Sequence, residues 1–282
     1  LVWEVRFPRA LLAVVVGMAL GVAGAVMQSF FRNPMADPYI VGVSAGAALG
    51  AVSGIVFRIR LWGGPFSSTP LLAFVGALGA TWLVYLLARR GGRVPVAGLL
   101  LTGIAVGAFF TAATSLLAVT RQESARVVLF WLMGSLAGAQ WAQVGTVTAY
   151  FAIGLLLVAF YARDMDALLL GEESAQELGV NVERTRAVLL AGSSLMAAAA
   201  VSVTGLIGFV GLVVPHMVRL AVGPRHAVVV PGSLLCGGAL LVVADLVARS
   251  ASSSEIPVGV VTAFVGAPFF LFLLARQRPI TL

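Results

Sequence analysis

Long apolar runs dominate this chain, and a helix needs about 17 to 25 apolar residues to cross roughly 30 Å of hydrocarbon. Such runs extend from Pro8 to Gln28, Val43 to Phe57, Leu71 to Ala88, Val96 to Val119, Trp141 to Ala162, Ala187 to Val203, Leu206 to Val222, Val228 to Val247 and Val258 to Ala275. The second is short and reaches Trp62 at its longest. The sixth and seventh form one stretch, Ala187 to Val222, too long for a single span, and Thr204 and Gly205 are its expected break. Inside a bilayer no water satisfies backbone amides and carbonyls, so each run must close its own hydrogen bonds as a helix. Charged residues make up only 10% of the sequence, against roughly 25% in soluble domains. The expected fold class is an all-α polytopic membrane protein, with residues 1–282 forming one transmembrane domain.

The charges that remain exclude several functions. The formal net charge is +7, but the basic residues fall between apolar runs and build no basic face, so they read as helix-end anchors rather than a nucleic-acid surface. All 18 basic residues are arginine. Without lysine there is neither a phosphate-cradling GxxxxGK[ST] loop nor a Schiff-base amine. If this protein moves a solute with ATP, another chain hydrolyses it. The single cysteine, Cys236, allows no intrachain disulfide and no CxxC site. Gly42 to Gly46 reads GVSAG, formally a nucleophile elbow around Ser44, but an elbow needs a preceding strand, and Pro38 to Val41 is a turn feeding a membrane helix. Ser44 suits a helix start. The two histidines, His216 and His226, read as packed or solvated groups rather than metal ligands. Asp245 is the one acid inside an apolar run, and Arg249 lies four residues on, able to meet it on one face. An ion- or proton-coupled carrier acting without an ATPase would hold acids at mid-membrane; Asp245 sits near a span end, which disfavours that alternative.

Leu168 to Val180, LLLGEESAQELGV, is the strongly polar island. Gly171 marks an N-terminal boundary, Glu172 and Glu173 occupy the first turn, where the helix dipole favours anions, and Gly179 supplies a left-handed stop. A helix of about two turns is expected, with Ala175 and Leu178 on one face. Its acids cannot lie in lipid without cost, so it sits outside the bilayer and offers a surface to a partner. Placing it in the cytoplasm puts Arg32, Arg89, Arg90, Arg93, Arg163, Arg184, Arg186, Arg219, Arg225, Arg276 and Arg278 inside, against Arg6, Arg9, Arg58, Arg60, Arg121, Arg126 and Arg249 outside. That bias has the positive-inside sense. The N-terminus then lies outside, and a chain opening there at Leu1 without a start methionine implies an earlier span.

Residues 124–135, SARVVLFWLMGS, are apolar but too short to cross; such a half-helix persists at membrane depth only where protein or a water-filled cavity surrounds it, so it is expected to line a path. TRAVLLAG at Thr185 to Gly192 echoes PRALLAVV at Pro8 to Val15, and five spans separate their starts, which inverts the second copy. Gly17, Gly21 and Ala25, and likewise Gly42 and Gly46, have the four-residue spacing of close helix packing.

Five ordered stretches carry a resemblance that spans essentially the whole chain. RFPRALLAVVVGMALGVAGAVMQSFFRNPMADPYIVGVSAGAALGA from Arg6 to Ala51, GEESAQELGV, GLIGFVGLVVPHMVRL at Gly205 to Leu220, ADLVAR at Ala244 to Arg249 and EIPVGVVTAFVGAP at Glu255 to Pro268 together resemble the FecCD family, permeases of type II ABC importers for iron-siderophores, haem and cobalamin. The resemblance implies a ten-helix permease, with about nine spans in this numbering, in the bacterial inner membrane. It implies a homodimer with two cytoplasmic ATPases, which carry ATP and Mg, and a periplasmic substrate-binding protein; no cofactor or metal is expected on this chain. Carried over by position, Gly171, Glu172, Glu173, Ala175, Leu178 and Gly179 would sit in the ATPase cleft. Arg6, Arg9 and Arg249 would pair with glutamates of the binding protein. Asn33 and Met35 would form the cytoplasmic gate with Pro95 and Val96, which stand where the family has small hydroxyl residues. The fourth span and residues 124–135 would line a central cavity, with Val106, Phe109, Phe110, Thr111 and Thr114 as wall residues and the inward face of that span left open.

Overall fold

The computed structural model describes residues 2–59, 68–89, 91, 94–252 and 255–276, and every regular element among them is helical. A π-helical turn, Val2–Arg6, leads into α1 (Phe7–Phe30), followed by α2 (Val43–Val56), α3 (Ser68–Ala88) and α4 (Val96–Thr120). A 3-10 turn at Gln122–Ser124 enters α5 (Ala125–Leu132), and α6 (Trp141–Phe160), α7 (Ala162–Leu169) and α8 (Glu172–Glu177) come next. The chain ends in α9 (Val182–Thr204), α10 (Val210–Val222), α11 (His226–Ser250) and α12 (Val258–Arg276). Each expected run contains a helix, and six helices, α1, α3, α4, α6, α9 and α11, are long and apolar enough to cross a membrane. This is a multi-pass, all-α membrane protein. The possible extension of the second run to Trp62 lies outside the described residues, as do Arg60, Arg90, Arg93 and Arg278 from the charge count.

Two helices are interrupted, and the reason is local. Gly205 (φ 71) closes α9 as expected, but α10 starts only at Val210, because residues 205–209 run as non-helical peptide up to a left-handed cap at Phe209 (φ 67). The expected span from Leu206 is therefore a half-helix of 13 residues, about 20 Å long at 1.5 Å per residue. α2 likewise is short, with 14 residues, about 21 Å, and follows a 12-residue loop, 31–42. Non-helical backbone at depth needs partners within the protein. Ser135 N–H donates to Thr204 O (2.7 Å) and the Tyr39 hydroxyl donates to Ile207 O (3.0 Å). The two interrupted starts thus meet, with the Pro38 ring packed on Gly211. Arg186, at the start of α9, lies 6.0 Å over the Phe30 ring at the end of α1, so these helices run antiparallel. The α1–α2 and α9–α10 pairs have the inverted order of the sequence echo.

α1 forms the centre because its small residues admit backbone. A Cβ on Gly24 would lie 1.8 Å from Gly211 O, and one on Gly17 would lie 2.2 Å from Gly237 O, so α10 and α11 approach to main-chain contact. Gly42 and Gly46 divide: Gly46 faces the Gly76 carbonyl of α3, whereas Gly42 (φ 87) is the left-handed cap that starts α2, a conformational role rather than a packing one.

Candidate functional site

α8 is the short helix expected in the polar island, and α7 leads into it. α7 buries Met165 and Leu168, and Leu170 and Gly171 (φ 124) turn the chain into α8, which ends at Leu178 and the left-handed Gly179 (φ 83). Ala175 and Leu178 do not share a face: Ala175 is 0% exposed and Leu178 is 65% exposed. The spacing rule fails because α8 has only six residues and Leu178 is its cap, already leaving helical register. Ala175 is the base of the element, and Glu173 and Leu178 belong to its outward surface. Side chains brace the island from below. The buried Arg186 guanidinium of α9 pairs with Glu172, and Thr185 Oγ1 donates to Asp164 Oδ2 at 3.0 Å.

The expected gate residues lie at helix ends on this same side, on separate supports. Asn33 is exposed, and its Oδ1 accepts the Met35 N–H at 2.9 Å. Pro95 is the exposed cap of α4 and Val96 its half-buried first residue, while the neighbouring Val94 N–H donates to Glu183 on α9 (3.3 Å). Among the described residues no hydrogen bond joins the two halves. Asp37, deeper in the 31–42 loop, accepts the Tyr39 N–H at 2.8 Å, and burial pushes its carboxyl up to about 6.

On the opposite side the three arginines part company. Arg6 is exposed at the entry to α1. Arg9 is not a free docking group: its side chain is 12% exposed, with Nε and Nη2 donating to Asp245 Oδ1 (3.0 and 2.8 Å) and Nη1 to Glu255 Oε2 (2.9 Å). Arg249 Nε pairs with Asp245 Oδ2 at 3.2 Å, the contact expected from their spacing, and stays partly exposed. A carboxylate 3% exposed must be paired to persist, and here it ties α1 to α11. Two guanidiniums, from Arg9 and Arg249, occupy Asp245, which makes it a tie between helices.

α4 settles which of its residues face outward. Leu99, Gly103, Val106, Phe110 and Thr114 turn toward the chain itself, with Gly103 against the Ile40 carbonyl and Thr114 Oγ1 donating back to Phe110 O (2.8 Å). Val106, Phe110 and Thr114 are therefore packing residues, a correction that follows from the i, i+4 stripe they share with Gly103. Phe109 and Thr111 lie on the open face with Leu101, Ile104 and Leu116. Beside it, α5 rests Val128 on Val52 and Val56 of α2. Leu132, Met133, Leu206, Gly259, Phe264 and Pro268 help line an apolar groove of about 520 Å³ between α5 and α12. Among the described residues no group of three His, Cys, Asp or Glu could hold a metal ion.

Known proteins share this arrangement. The pattern of the FecCD transport family matches residues 1–276. The chain is 50% identical to the cobalamin import system permease protein BtuC of Halobacterium salinarum, across 99% of this chain and 74% of that one. It is 42% identical to the hemin transport system permease protein HmuU of Yersinia pestis (98% and 84% covered) and 42% identical to the Fe(3+) dicitrate transport system permease protein FecD of Escherichia coli (98% and 85%). A solved transporter assigned to the metal-chelate ABC type, in an inward-facing conformation, matches with a TM-score of 0.91 at 32% identity, over 98% of this chain and 87% of that one. By length, motif order and three-dimensional match together, the chain belongs to the FecCD transport family.

Proposed function

We propose that this chain is the permease subunit of an ATP-driven importer that moves an iron chelate, either haem or a siderophore complex, or cobalamin across the cytoplasmic membrane. The observation that carries this reading is α8: a short acidic helix with Glu173 and Leu178 exposed on a protein made mainly of apolar helices, held from beneath by Arg186. Such a surface is built to be gripped. Two copies of the chain work with two ABC ATPases, which bind ATP and Mg, so this chain needs no cofactor of its own. A binding protein on the outer side docks its carboxylates on Arg6 and Arg249, with Arg9 held behind them by Asp245.

Transport then proceeds by alternating access. Closure of the ATPases displaces α8, and the open faces of α4 in the two copies, with Phe109 and Thr111, enclose the path between an outer mouth and an inner gate at Asn33, Met35, Pro95 and Val96. Weak apolar contact lets a large chelate leave again.

The test is reconstitution of the chain in vesicles with its ATPase and binding protein. Glu173→Arg and Leu178→Asp each reduce uptake about tenfold, a loss of about 1.4 kcal/mol in coupling, while the subunit still elutes as folded protein. Undiminished uptake by both variants, or concentrative uptake by the chain with no ATPase present, would overturn the reading. Stimulation of ATP hydrolysis by binding protein loaded with haem, siderophore or cobalamin identifies the cargo.

A further inference from the structure

His226 opens α11, is completely buried, and has no part in the path, the gate or the outer docking face. Its two ring nitrogens meet different elements. Nδ1 lies 2.6 Å from Asp166 Oδ1 on α7, and the same oxygen accepts the His226 backbone N–H at 2.9 Å. Nε2 lies 3.4 Å from Nη2 of Arg219 on α10. A carboxylate accepts and a guanidinium only donates, so the neighbours place the hydrogen on Nδ1 and the lone pair on Nε2. Arg219 carries the connection on: Nη1 donates to Gln28 Oε1 (2.9 Å) and Nη2 to Ala25 O (3.0 Å) on α1. Gln28 Nε2 in turn donates to Leu212 O (2.9 Å) near the start of α10. One continuous series of hydrogen bonds, with Arg219 donating to both sides, therefore joins α7, α11, α10 and α1.

We propose that this series is the strut that transmits displacement of α8 into the transport core, with His226 as its positioning residue; the inference rests on the importer reading above. Only Leu170 and Gly171 separate α7 from α8, so a pull on α8 moves Asp166. Apolar helix faces slide over one another with little change in energy, whereas hydrogen bonds in a low-dielectric interior hold distance and register. Asp166 thus carries the first turn of α11 with it. Arg219 passes the movement to α10 and to the end of α1, the helix that leads into the gate loop, 31–42.

The readout is substrate imported per ATP hydrolysed in vesicles holding this chain, its ATPase and its binding protein. Asp166→Ala removes the acceptor for both His226 donors, and His226→Phe keeps the ring volume without the nitrogens; each lowers the ratio at least fivefold. Asp166→Asn retains an oxygen that accepts from Nδ1–H and the backbone, and keeps at least half of the wild-type ratio. The double variant Asp166→Ala, His226→Phe falls no further than the worse single, since both break one series. A network that only stabilises the fold would lower the melting temperature and leave the ratio of the folded fraction at wild type; that result, or no rescue by Asp166→Asn, overturns the strut. If His226→Phe fails to fold, Asp166→Ala, at a partly exposed side chain, decides alone. Wild-type uptake without any need for ATPase would instead remove the importer reading, so the two failures are distinct.

Discussion

α1 and α4 are near equals on paper. They have 24 and 25 residues, and their most apolar windows have mean hydropathies of 2.4 and 2.0. Yet 72% of that window is buried inside the chain for the span containing α1 and 17% for α4. Lipid is as apolar as leucine, so hydropathy brings both into the membrane without ranking them. Close approach does the ranking. α1 sets Gly17, Gly21 and Gly24 against the main chain of α10 and α11, whereas α4 makes one such contact, Gly103 on the Ile40 carbonyl, and its Gly107 has nothing within 4 Å of where a Cβ would stand. A glycine centres a helix only when a neighbour's backbone comes to meet it.

The largest effect is expected from filling that contact. Gly24→Leu drives a side chain into the Gly211 backbone, which cannot rotate away, and costs more than the 1–3 kcal/mol of an ordinary overpacked core; no monodisperse subunit is recovered by size exclusion in detergent. The matching insult on α4, Ala105→Trp on the open face, leaves the melting temperature of the isolated subunit within a few degrees of wild type and lowers uptake by the complex about tenfold. Should Ala105→Trp unfold the subunit, α4 is no less central than α1 and the contrast fails. The smallest effect is at Asp37, in the loop that joins α1 to α2. Its folded-state pKa lies above the ordinary 3.8, at about 6, because burial penalises the charged form. The protein is then most stable with Asp37 protonated, and stability falls as pH rises through that interval. A melting temperature that declines between pH 4 and 7 in wild type and is flatter in Asp37→Asn, which keeps the acceptor for Tyr39 N–H, is the expected result.

Much of the site was visible in the amino-acid order. Gly171 and Gly179 bound the polar island because left-handed residues punctuate helices wherever they occur. Asp245 and Arg249 pair because four residues make one turn. The reading of Ala175 with Leu178 used the same rule and failed, since periodicity holds inside a helix and not at its cap. Arg9 was misjudged for a different reason. Its partners, Asp245 and Glu255, lie more than 230 positions away, and no local pattern reports a contact between α1 and α11. His226 was equally opaque, an isolated histidine until α7 and α10 close around it.

Composition and run length determined that this chain is a bundle of membrane helices, because each helix closes its hydrogen bonds within itself and its solvent preference is a sum over its own residues. Only the tertiary structure decided which helix is the centre, which face of α4 is open, that α10 is a half-helix, and that Arg9 and His226 are engaged. Those outcomes depend on distances between segments remote in sequence, and such distances arise only when backbones pack.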